Sequence, residues 1–103
     1  MSVPRQGEIW WAHAAGKRRP VLVVTRSEAV PVLTGIVVAP VTRTVRDIPT
    51  EIALGDAEGL PVACAASFDN LQRIRRSALA EHIGALGPRR AQICTALRAL
   101  ADC

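Results

Sequence analysis

The chain has 103 residues, half of them apolar, with a formal net charge of +4 and only 3% aromatic residues. That length holds one domain, residues 1–103, and the basic balance (pI near 9.8) points to a polyanionic or acidic partner. Three cysteines without a C-x-x-C pair argue against a disulfide framework and against a structural zinc site, and no run of about 18 apolar residues suggests a membrane span. Cys64 and Cys94 are expected in the core and Cys103 as an exposed terminal thiol. The N-terminus lacks a signal-peptide stretch, so a cytoplasmic protein is expected.

Residues 8–12, EIWWA, read as the first strand, opened by Gly7. Successive strand side chains alternate faces, so one of Trp10 and Trp11 is core and the other lies at a surface. His13 follows in an expected loop, where it is a candidate general acid or base. Lys17, Arg18 and Arg19 then run through Pro20 into Val21–Thr25, a β-branched run of buried-strand type. Pro20 suits the first residue of a strand, which pins three cations at the end of a core element. Arg26–Thr34 is a loop broken by Pro31.

Gly35 opens Ile36–Val41, a second buried run, and Pro40 inside it suggests an edge or a bulge. Thr42 sits at its end, before a loop carrying Arg43 and Arg46. Thr50–Leu54 alternates as a half-buried strand should, and Gly55–Pro61 is a turn with two acidic residues expected in solvent. Val62–Phe68 is a further strand that delivers Asp69 and Asn70. A short strand at His82–Gly84 precedes Gly87-Pro88, which starts a helix whose apolar stripe is Ile93, Leu97, Leu100 and Ala101. Five to seven short strands without intervening helices argue for a mainly β fold, a small antiparallel barrel with a C-terminal helix.

Four stretches in this order, GEIWWA at 7–12, RRPVLVV at 18–24, VAPVT at 38–42 with PTE at 49–51, and SFDNL at 67–71, resemble the MazF/PemK family of toxin ribonucleases. The resemblance extends over nearly the whole chain. It implies an SH3-like barrel of the CcdB/PemK kind, a homodimer, metal-independent, sequence-specific cleavage of single-stranded RNA, and a cognate antitoxin with an acidic tail. It implies active-site roles for Arg19 and Thr42, and a catalytic role for Asp69 as in some members. Ser67 stands where some members carry an arginine, and is assigned with Lys17, Arg18, Arg43 and Arg46 to RNA binding.

The residues fit that chemistry. Attack by the RNA 2′-OH gives a 2′,3′-cyclic phosphate and a 5′-OH end, and needs a base, a proton donor and a cation on the phosphorane. Arg19 supplies the cation, Thr42 a hydrogen bond to the same phosphate, and Asp69 or His13 the base. No cluster of carboxylates has the spacing of a two-metal nuclease, and no cofactor is implied. The alternative is a toxin of the same fold that binds a protein target such as DNA gyrase.

Overall fold

The computed structural model describes residues 3–14 and 16–101. Cys103 lies outside the described residues. Seven strands form one antiparallel sheet: β1 (Glu8–Ala14), β2 (Lys17–Val23), β3 (Gly35–Thr42), β4 (Glu51–Leu54), β5 (Cys64–Ser67), β6 (Gln72–Arg75) and β7 (Leu79–Ala85). Their order is β4-β5-β3-β2-β1-β7, with β6 paired to β3 beside β5. Among the described residues the one α-helix, α1 (Gln92–Leu100), follows a 3₁₀ turn at Gly87–Ala91. The expected mainly β fold is borne out as a sheet curled into a half-barrel.

The first hairpin is longer than its apolar residues suggest. Ala14 pairs with Lys17 and His13 with Arg18, so His13 lies in a strand and not in a loop, and the basic triplet forms the first half of β2. A hairpin tip in solvent needs backbone pairing but no apolar side chains, which is why hydropathy underestimates its length. Gly16, at φ +75°, provides the left-handed residue by the turn.

Both faces of the sheet are covered. On one, Ile9, Leu22, Ile52 and Phe68 pack with Ile93 and Ala96 of α1. Phe68 and Ile9 are fully buried, and truncating such a phenylalanine costs about 3–5 kcal/mol. On the other, Trp10, Val21, Val23, Ile36 and Val38 pack beneath Val30 of the 26–34 loop. Trp10 is the core indole and Trp11 the half-buried one, as the alternation requires.

Two further expectations are corrected. Cys94 is exposed, because it follows the buried Ile93 by one residue and so points about 100° away around the helix. Cys64 does lie in the core, where burial raises its thiol pKa, with Glu58 adding to the effect and Arg43 opposing it. The second correction is Glu58, expected in solvent with Asp56. It is buried, and one carboxylate oxygen accepts from the Gly55 N–H at 2.8 Å while the other meets Arg89 at 3.2 Å. The 3₁₀ turn Asp56–Glu58 folds the chain back after β4 and sets its backbone against Gly84 of β7. A Cβ at Gly84 would overlap the Glu58 carbonyl, so this close approach requires glycine. The unpaired ends of the sheet, β4 and β7, are thus bridged by a turn where no strand ladder runs.

Candidate nucleic-acid cleft

The cleft begins with two prolines. Val24 N–H donates to Val37 O, so residues 20, 22 and 24 of the β2 line aim their backbone groups at β3, while 38, 40 and 42 of β3 aim theirs away from β2. Pro20 falls where the β2–β3 ladder has ended, since pairing covers Val21–Val23 only. Pro40 falls on the opposite edge of β3, where the partner changes. Gly35–Val38 pair with β6, and Val41 and Thr42 pair with β5. Pro40 has no N–H to leave unsatisfied at that split. β5 and β6 diverge there, joined by the 3₁₀ turn Phe68–Asn70.

A cleft of about 260 Å³ opens at the split, lined by Arg19, Pro40, Val41, Thr42, Thr44, Arg46, Ser67, Asn70 and Gln72. Four of the residues expected in a site, Arg19, Thr42, Arg46 and Ser67, therefore meet in one place. Among the described residues the Arg19 guanidinium has no hydrogen-bond or ion-pair partner. Thr42 Oγ1 accepts the Thr44 N–H at 3.1 Å, which leaves its own proton available to a ligand. Arg46 is held by its backbone: its N–H and that of Asp47 donate to Glu51 Oε1 at 2.9 and 3.2 Å. Asp47 itself sits at φ +56°, a conformation asparagine and aspartate tolerate better than other side chains. Glu51 thus fixes the loop that carries Arg46. Asn70 Nδ2 donates to Ser67 Oγ at 2.9 Å.

The other expected residues lie elsewhere. Asp69 is exposed beside the cleft, between the lining residues Ser67 and Asn70, and Oδ2 accepts the Thr50 hydroxyl at 2.6 Å. Arg18 is on the opposite face of β2 from Arg19, 4.6 Å above the Trp11 ring and bonded to Glu81 at 2.8 Å. His13 pairs with Arg18 at the hairpin's outer end and does not line the cleft. Lys17 and Arg43 are exposed outside its lining. Sequence reasoning missed Thr44, Asn70 and Gln72. For Gln72 the available signal was its spacing of two from Ile74, a shared strand face.

A larger, more open cleft of about 480 Å³ lies near the start of β1, between Arg5 and Arg90, and gathers none of the expected residues. Among the described residues no group of three His, Cys, Asp or Glu side chains is placed to hold a metal ion. No helix there is long and apolar enough to cross a membrane.

Comparison with known proteins identifies the family. Residues 5–101 match the family described as PemK-like, MazF-like toxin of type II toxin-antitoxin system. The probable endoribonuclease MazF5 of Mycobacterium tuberculosis (strain ATCC 25618 / H37Rv) is 35% identical over 105 aligned positions, covering 99% of this chain and 96% of that protein. The solved structure of Mycobacterium tuberculosis toxin MazF-mt6 superposes with a TM-score of 0.84 at 35% identity, over 92% of this chain and 96% of that one. An endoribonuclease from a mycobacterial species, solved in complex with its cognate antitoxin, shares the fold at a TM-score of 0.80 and 24% identity, over 94% and 93% of the two chains. The chain belongs to the PemK-like, MazF-like toxins of type II toxin–antitoxin systems.

Proposed function

We propose that this toxin is an endoribonuclease that cuts single-stranded RNA in the Arg19–Thr42 cleft, without a metal ion, by attack of the 2′-OH on the adjacent phosphorus. The observation that carries this is the convergence of Arg19, Thr42 and Arg46 in one cleft with Arg19 unpaired among the described residues. A planar guanidinium with no internal partner matches two oxygens of a phosphorane, and the Thr42 hydroxyl adds a third donor. Proton transfer falls to groups at the rim. Asp69, between the lining residues Ser67 and Asn70, is assigned as the base, and His13, which shares the Arg18 face of the hairpin, is left out of the step. Lys17, Arg18 and Arg43 add to the positive field that draws in the polyanion.

We further propose a homodimer in the cytoplasm, inhibited by an antitoxin whose acidic segment occupies the same cleft in place of RNA. The relative named an endoribonuclease supports the ribonuclease reading, and the neighbour solved with its cognate antitoxin supports the antitoxin. The test is incubation of purified protein with a long RNA in EDTA. Cleavage is expected to persist, with cyclic phosphate on one product end and hydroxyl on the other. A wild type that cuts no RNA overturns the reading in favour of a protein target.

A further inference from the structure

We infer that Gln72 is a specificity-determining residue of the cleft, reading an adenine next to the cut phosphate; this rests on the ribonuclease reading above. The chain carries four side-chain amides, at Gln6, Asn70, Gln72 and Gln92. Three are used inside the protein: Gln6 donates to Val24 O at 2.9 Å, Asn70 to Ser67 Oγ at 2.9 Å, and Gln92 accepts from Arg89 at 3.1 Å. Gln72 has no hydrogen-bond partner among the described residues, is exposed, and lines the cleft. It is also on a strand, paired with Val38 in the β3–β6 ladder, so its backbone is fixed more firmly than a loop residue's would be.

The chemistry selects the ligand group. A phosphate accepts hydrogen bonds and donates none at neutral pH, and the cleft already holds Arg19, Arg46 and Thr42 for it. A neutral amide adds no attraction for the backbone beyond one donor. Its value lies in presenting a donor and an acceptor side by side, which matches an edge with the reverse pair. Adenine offers an N6–H beside an acceptor on both its Hoogsteen edge (N7) and its Watson–Crick edge (N1), whereas cytosine, guanine and uracil offer such a pair, of these two edges, only on the Watson–Crick one. Single-stranded RNA leaves such edges open, because its bases can be splayed out of a stack.

The experiment maps cleaved ends of a long RNA cut by wild type, Gln72→Ala and Gln72→Glu, with thermal melting of each as the folding control. Wild-type sites are expected to share an adenine at one fixed position beside the cut. Gln72→Ala should lower the preference there by about 5- to 150-fold, the discrimination a lost bidentate base contact gives. Gln72→Glu, an acceptor only, should weaken the adenine preference and admit cytosine, whose N4 amine donates as adenine's N6 does. Melting should be unchanged, since the side chain is exposed. Wild-type sites without a fixed adenine, or an adenine preference that survives Gln72→Ala, would overturn the inference while leaving the nuclease intact. A wild type that cuts no RNA overturns the ribonuclease reading and this inference with it.

Discussion

The curled sheet is interrupted in two places, and they are treated in opposite ways. At the β4–β7 seam the Asp56–Glu58 turn fills the gap and its polar groups are used internally. Arg89 alone donates to Glu58, to Ala53 O at 2.7 Å and to Gln92. At the β5–β6 split nothing fills the gap, and Arg19, the Arg46 guanidinium and Gln72 are left without internal partners among the described residues. Arginine serves in both places, so residue type does not separate a structural cation from one held for a ligand. The difference is whether the fold has already supplied its acceptors.

The largest expected effect is at the split. Arg19→Ala should remove a transition-state interaction worth about 3–4 kcal/mol, or 100–1,000-fold in cleavage rate, with melting unchanged. Arg19→Lys should recover only part, since a point charge lacks the two-pronged geometry. Thr42→Ala follows at about 10- to 150-fold, from a lost hydrogen bond to a charged group, and Thr42→Ser should keep most of the rate. Rate assays at saturating RNA check both, and undiminished cutting by Arg19→Ala would refute the mechanism.

At the seam the effects should fall on stability. Gly84→Ala forces a methyl group against the Glu58 backbone, which cannot swing aside as a side chain would. A loss of about 3 kcal/mol is expected, seen as a fall of roughly 12–24 °C in melting temperature for a chain of this length. Arg89→Ala leaves a buried carboxylate without its cation. Because Arg89 is itself about a third exposed, the full cost of a broken buried pair is discounted to about 1–2 kcal/mol. Neither variant should slow cleavage per folded molecule at low temperature. A slowed but stable Arg89→Ala protein would erase the distinction between the two regions.

The smallest expected effect separates two cations by their partners. Arg46→Ala should lower the salt dependence of RNA binding by about 0.7 in the log–log slope, one phosphate on a single strand. Arg18→Ala should change the slope less, since Arg18 already faces Glu81 and Trp11. Equal changes in a binding titration across salt concentrations would place Arg18 on the RNA path after all.

Local sequence determined most of the strands and turns, because alternation and β-branching act within a few residues, but it missed β6 and put Pro20 at the start of a strand that begins at Lys17. Trp10 against Trp11, the buried valine runs and the C-terminal helix were legible for that reason, and the ordered motifs pointed to Arg19 and Thr42. Only the tertiary structure decided that β3 changes partner at Pro40, which turns a strand irregularity into a cleft. It also decided the fates of Arg18 and Arg19, neighbours in sequence on opposite faces of β2, one covered by Trp11 and Glu81 and the other open to a ligand. Glu58 makes the same point. Its turn is polar enough to read as solvated, and its burial depends on Arg89, 31 positions away, and on a glycine in β7. Charge pairing and close approach across the sheet are long-range properties, and no window of local sequence contains both partners.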